Sequence, residues 1–405
     1  MKKLIYPLAI ALTTIAFSPT ASAIPGYSRQ TNSACSACHF QSFPALNAMG
    51  RSFKAGGYTM MGTQKKIEGK QGLSLPENLN AGAVFKIRYQ KTDDTSSVAN
   101  QPTNKGDGQL QMFDELLLMV GGRVSENIGV QLELNLLGGS PLVENFKMPF
   151  MFDVKNVKAG VIPFTTAGQG VAYGFELLNT GAVRGQRIME ARSTFSAQQY
   201  IGTGTSAEGV ALVASNKQYF ANFSKWSPRT VGDTSGSPTA NYLRLAFTPT
   251  VENMALGVGL QSWSGNTTNA TAAYVKTDAF ALDAQAQGIV NDMPLGVYLT
   301  YASAKGSNAG EPANFFNANP NSEKAITIAG QLGVMPGKAT VLAAYRNGDT
   351  GGTANNGDNA LMIGGTYLIV QNVQLQLNHE MYSGSKYDLP NAAKQQTTLM
   401  LFAAF

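Results

Sequence analysis

From about Ala81 to Phe405 the chain is written in short segments of period two, and that alternation constrains its fold more than any other feature. In 128–136, Ile128, Val130, Leu132, Leu134 and Leu136 alternate with Gly129, Gln131, Glu133 and Asn135. Ala83, Phe85, Ile87 and Tyr89 alternate with Val84, Lys86, Arg88 and Gln90. Leu243, Leu245 and Phe247 alternate with Tyr242, Arg244 and Thr248, and Ile326, Ile328 and Leu332 with Thr327, Ala329 and Gln331. A strand turns successive side chains to opposite faces, so each segment carries one apolar and one polar face. Lys86, Arg88, Glu133 and Arg244 all fall on the polar parity. That placement suits a barrel in lipid, where Lys or Arg on the outer face costs about 2–4 kcal/mol near the midplane.

Composition agrees. Charged residues make up 14% of the 405-residue chain, where a soluble protein carries about 25%. No run beyond Ala23 approaches the ~18 apolar residues of a membrane helix. Low charge without apolar runs predicts an all-β transmembrane barrel over 79–405, with roughly 16 antiparallel strands. A soluble β-sandwich, the competing all-β fold, would have shorter loops and more surface charge. Turn residues punctuate the pattern at Gly138-Gly139-Ser140-Pro141, Ser235-Gly236-Ser237-Pro238, Pro336-Gly337, Asn347-Gly348-Asp349 and Ser383-Gly384. The polar stretches 92–107, 306–322 and 349–358 read as longer loops. Segments 109–120 and 272–284 mix the two faces, and 163–192 reads as a loop folded into the pore. The final strand ends in Phe405, in phase with Leu399, Leu401 and Ala403, which resembles the terminal signature of outer-membrane barrels.

The first 23 residues read as a secretory signal peptide. Lys2 and Lys3 precede an apolar stretch, and Ala21-Ser22-Ala23 is a cleavage site of the A-x-A kind. Removing them takes away two lysines and no acids, so the formal charge becomes 28 − 25 = +3. That is too small to argue for nucleic acid or an acidic partner. The localisation implied is the outer membrane of a Gram-negative bacterium.

Cys35 and Cys38 are the chain's two cysteines, and they stand in Cys35-Ser36-Ala37-Cys38-His39. In C-x-x-C-H both thiols add to one haem, and the adjacent histidine binds the iron. A zinc site would need four ligands, and His379 is the only other histidine. A thioredoxin-like pair would need a βαβ setting, and a disulfide would leave His39 unexplained. The residues therefore point to one covalent haem c, carried by a segment at 24–78 that is too small to build its own core and that would plug or cap the lumen. His39 is the proximal ligand in this reading. Pro44 is a candidate to orient its ring through a backbone carbonyl, or else an ordinary loop proline. Arg51 and Lys54 are candidates for the haem propionates, or else a solvated basic face. For the distal position Met60 is favoured over Met49 and Met61, and an open face is the alternative. His379 shares the apolar parity of Val373, Leu375 and Leu377, so it should face outward.

The run after the motif contains Phe43-Pro44-Ala45-Leu46-Asn47, Gly50-Arg51-Ser52-Phe53-Lys54 and Gly57-Tyr58. This pattern resembles the fused monohaem cytochrome–porin family of iron-oxidising bacteria, with motif matches covering about 25–58. The resemblance implies electron transfer from extracellular Fe(II), through a c-type haem, to a periplasmic cytochrome or similar carrier. Architecture alone leaves two alternatives: an electron conduit for a different extracellular donor or acceptor, and a porin whose haem is structural or sensory. Triads, phosphate loops and dinucleotide motifs are absent from the sequence, so any enzymatic role is in the electron-transfer sense.

Overall fold

Closing an alternating sheet on itself removes its edges and gives every strand two partners. The structure, a computed structural model, describes residues 25–93, 106–137, 142–181, 195–229, 236–268, 273–388 and 392–405. The stretch read as a signal peptide, residues 182–192 of the segment read as an inward loop, and parts of the polar loops lie outside these residues. The barrel strands are β1 (Ala81–Thr92), β2 (Gln109–Arg123), β3 (Gly129–Asn135) and β4 (Val143–Lys147, continued by Phe150–Val154). Then follow β5 (Val157–Thr166), β6 (Ala207–Ser215), β7 (Tyr219–Pro228) and β8 (Ala240–Phe247, continued by Thr250–Val251). The next four are β9 (Met254–Ser264), β10 (Ala279–Val290), β11 (Met293–Ala304) and β12 (Glu323–Met335). The last are β13 (Ala339–Asp349), β14 (Asn359–Val370), β15 (Val373–Ser383) and β16 (Gln395–Ala404). Both parts of β4 pair with β5, and both parts of β8 pair with β9, so eighteen segments make sixteen antiparallel strands. The ring closes where β16 pairs with β1, from Gln396 opposite Thr92 to Ala404 opposite Val84.

The two rims differ. At one, strands are joined by two-residue turns at 155–156, 252–253, 291–292 and 371–372. Lys155, Glu252, Asn291, Asp292 and Asn372 have positive φ there, as hairpins whose twist matches the flanking strands require. The start of β1 and Phe405 lie at this rim, where Ala83 and Phe405 exchange backbone hydrogen bonds of 2.8 and 3.1 Å. All the long connections leave the opposite rim.

Alternation decides which face each residue takes. Leu245, Leu260, Leu282, Tyr301 and Ile326 stand directly opposite one another on five successive strands and form an apolar row on the outer face. Lys86, Glu133 and Arg244 are buried on the inner face. Two segments that read as mixed have physical explanations. In β2, Glu115 opposes Lys86 and Gln111 opposes Arg88, so five residues span what three span on β1. This bulge brings the adjacent Asp114 and Glu115 both inward, onto Arg88 and Lys86. In β10 the alternation is regular, but Ala279 and Ala281 are the inner residues and Phe280 and Leu282 the outer ones; the inner face is close-packed, and alanine blurred the pattern.

His379 lies on the outer parity of β15, where its Nδ1 is 3.0 Å from Thr397 Oγ1. The 163–192 segment begins as the end of β5. It then turns inward, and 170–181 are buried throughout. Phe175 and Leu178 pack in one apolar cluster with Trp226, Tyr242 and Trp263 of the wall.

Candidate functional site

The first described helix, α1 (Pro25–Thr31), is short and held by its polar side chains. Gln30, fully buried, donates from Nε2 to the carbonyls of Tyr58 (2.7 Å) and Met60 (2.8 Å). Its Oε1 accepts from Asn80 Nδ2 (3.1 Å) and the Arg123 backbone N–H (2.8 Å). One side chain thus ties both ends of the segment to the barrel rim. Tyr27 stacks on Tyr58 with centroids 5.1 Å apart and meets the edge of Phe53 at 5.1 Å.

A 3-10 turn, Cys35–Ala37, then presents the thiols. The His39 N–H donates to the Cys35 carbonyl at 2.9 Å, so both cysteines and the histidine share one compact turn. Helix α2 (Ala48–Ala55) is capped by Asn47, whose Oδ1 accepts from Gly50 N at 3.0 Å and whose Nδ2 donates to the Ala37 carbonyl at 2.9 Å. A side chain at Gly50 would run into the Cys38 carbonyl. The glycine is therefore what lets α2 lie against the thiol turn.

Wall residues hold this assembly on the inner face. Arg51 donates to Gln287 Oε1 at 2.7 Å, Gln331 donates to Ser42 at 3.1 Å, and Phe43 stacks on Phe402 at 4.8 Å. Leu46 and Asn179 exchange two hydrogen bonds of 2.8 and 2.9 Å, and the Asn179 N–H donates to Gln285 Oε1 at 2.7 Å. Segment, inward loop and wall are thereby locked together.

Between them lies a cavity of about 180 Å³, bordered by Cys35, Cys38, His39 and Pro44 on one side and by Lys86, Leu117, Met119, Glu133, Lys147 and Phe402 of the wall on the other. Both cysteines are free thiols. Burial pushes each above the ordinary thiol range; for Cys35 a contact with Ser28 Oγ at 3.4 Å opposes that shift. His39 Nδ1 lies 3.2 Å from the Ala45 carbonyl, which selects the tautomer whose Nε2 carries the lone pair. Two thiols, an oriented imidazole and a mostly apolar chamber with cationic side chains at its border fit a covalent haem.

Three expectations are corrected by this geometry. The carbonyl that orients His39 belongs to Ala45, one residue beyond Pro44, because the chain turns back there and His39 pairs with Leu46. Arg51 does not border the chamber; its guanidinium is spent on Leu46 O and Gln287. Met60 also lies outside it, with its side chain exposed and its carbonyl held by Gln30. Met49 is likewise exposed. Conversely, Met119, Lys147 and Tyr173 border the chamber and were not singled out from sequence. For Met119 and Lys147 inward parity was the available signal, and in β2 the bulge hid it; Tyr173 lies in a 3-10 turn, Val171–Gly174, where no such parity exists.

No family model and no curated protein matches the chain. Among solved structures, the barrel is similar to the outer membrane channel DcaP of Acinetobacter baumannii (12% identity, TM-score 0.49, covering 81% of this chain and 97% of that one). It is also similar to a triple mutant of the Rhodopseudomonas blastica porin (13%, 0.45, 80% and 99%). A third likeness is to a loop-deletion mutant of OmpT, an outer membrane protein of Vibrio cholerae (13%, 0.46, 81% and 99%).

Proposed function

We propose that this chain is an outer-membrane c-type cytochrome built into a porin-like barrel, passing single electrons between a donor outside the cell and a carrier in the periplasm. The observation that carries the reading is the shared chamber: Cys35, Cys38 and His39 border the same space as the inner wall of a closed barrel. Cys35 and Cys38 would hold a haem through thioethers and His39 would ligate its iron. When bound, that group supplies reversible one-electron chemistry. The wall keeps it from lipid, Lys86 and Lys147 offer positive charge at its border, and the inward loop, with Phe175 and Leu178 against Trp226 and Trp263, closes the lumen beyond it. Segment 25–62 acts as the plug of the barrel. The short-turn rim, where that segment is anchored, faces the periplasm, as short turns do in bacterial barrels. Fe(II) as donor is what the resemblance of about 25–58 to the fused cytochrome–porin family implies.

The test is anaerobic addition of Fe(II) to purified, oxidised protein in detergent, followed at the reduced α-band. Reduction within seconds is expected. Reduction by dithionite but not by Fe(II) would move the donor elsewhere.

A second reading has one observation in its favour. Sixteen strands is the size at which barrels enclose an aqueous channel. In that reading the protein is a porin whose haem is structural or sensory. Planar-bilayer recording separates the two: an open channel of nanosiemens conductance supports the porin, and its absence supports the sealed conduit.

A further inference from the structure

We infer that Met119, from the barrel wall, would supply the second protein ligand to an iron held by His39; this rests on the haem reading above. A six-coordinate iron in the chamber needs its second donor from the lining of that same chamber. The methionines nearest in sequence do not supply it. Met49 and Met60 are exposed and Met61 is half-buried, and none of the three borders the space. Met119 does. It sits on the inner parity of β2, six per cent exposed, directly opposite Gly82 of β1 and Glu133 of β3, in an apolar cluster with Val84, Leu117 and Phe402 against which Phe43 packs.

Of the other donors at the border, the Tyr27 hydroxyl has no hydrogen-bond partner among the described residues, but burial holds it in its protonated form, a poor ligand, and the charged ones are engaged. Lys86 pairs with Glu115, and Lys147 donates to the Tyr173 carbonyl at 3.0 Å. Glu133 accepts from Gln131 (2.7 Å) and Asn145 (2.5 Å). A thioether has little such demand. It is a soft ligand suited to haem iron, and its unbranched side chain can swing to reach a metal. Met/His ligation raises the haem potential, which suits an acceptor of electrons. The assignment also gives the barrel a direct hold on the redox centre, because the ligand set would come half from the N-terminal segment and half from the wall.

The test uses the full-length holoprotein in detergent. Oxidised wild type should show the weak methionine–iron charge-transfer band. Met119→Leu should lose it, with the reduction potential falling, while the Cys35 and Cys38 thioethers keep the haem on the chain. Met119→His should remain low-spin without that band, which guards against a Leu variant that merely misfolds. Met400→Leu, in the same apolar cluster but off the chamber's border, should keep the band. Persistence of the band in Met119→Leu, or its absence from haem-loaded wild type, would overturn the assignment alone. A wild-type chain without covalent haem on a denaturing gel would overturn the assignment and the reading beneath it.

Discussion

The lumen is filled twice, and the two fillings are built differently. Near the short-turn rim, segment 25–62 leaves a chamber bordered by thiols, an imidazole and paired charges. Deeper in, 170–181 are held by packing and ion pairs against the wall. There Arg244, fully buried, donates to Asp283 (2.5 and 3.0 Å) and is paired with Glu176 (2.9 Å), and Thr180 donates to Asp283 at 2.7 Å. Two carboxylates on one guanidinium make a directional clamp between loop and wall. Ion clusters of this kind contribute little net stability over apolar packing, but leaving one member unpaired is costly. The contrast separates the tasks: one half of the barrel is shaped to receive a guest, and the other is shaped to stay shut.

Removing the guest's anchors should have the largest effect and fall on one half only. Replacing Cys35 and Cys38 by alanine is expected to abolish covalent haem entirely, read as loss of peroxidase stain on a denaturing gel. The barrel should still shift its gel mobility on heating as the wild type does, because among the described residues the thiol hydrogen bond is to Ser28 of the segment, not to a strand. If the barrel also fails to form, the chamber and the seal are one folding unit and the contrast is wrong.

Breaking the clamp is the reciprocal experiment. Arg244→Ala strands Glu176 and Asp283 in a buried site, which should cost about 3–5 kcal/mol. The loss should appear as a lower unfolding temperature and, if the proposed sealed conduit holds, as a conductance absent from the wild type, with haem still attached. Replacing all three charged residues by apolar ones of similar volume should recover most of the stability, since the desolvation cost disappears with the charges.

How far these two halves were legible in the sequence differs for a physical reason. Strand faces follow from local alternation, so the inward Lys86, Glu133 and Arg244 and the outward His379 could be read directly. The thiol turn could be read too, because Cys35, Cys38 and His39 are neighbours in the chain. The remaining site residues were not legible. Which carbonyl meets His39, where Arg51 points and which methionine borders the chamber all depend on how the segment docks inside the barrel, Arg51 of α2 on Gln287 of β10 among them, and docking leaves no periodic trace. Pro44 missed by one residue for this reason. The two-residue bulge in β2 hid Met119, and the small inner residues of β10 blurred its alternation. The inward fold of 163–192 was read from the sequence, but its partners on the wall, Trp226, Tyr242 and Trp263, were not.

A subtler perturbation bears on the chamber's own architecture. Gly50→Ala places a methyl group against the Cys38 carbonyl. Overpacking of this kind costs about 1–3 kcal/mol, and here relief requires α2 to move away from the thiol turn. Haem incorporation should fall in part, with the unfolding temperature of the barrel nearly unchanged. Equal loss at Gly50→Ala and at an exposed α2 position such as Ser52→Ala would show that helix content, and not the close approach to Cys38, matters.

The smallest expected effect is the most diagnostic of face. His379 is the only imidazole besides His39, and so the one rival imidazole for iron. Its position on β15 argues against that role: the neighbours that share its parity include the exposed Leu377, while Asn378 and Glu380 on either side are fully buried in the lumen. A side chain cannot change face without a register slip of the whole strand, which would carry Asn378 and Glu380 out to the apolar side. His379→Ala should therefore leave the Soret band, the potential and the conductance where they are, losing only the contact with Thr397. A shift of the Soret band would mean that β15 is inverted in the membrane, and the division between lumen and outer face would have to be redrawn for that strand.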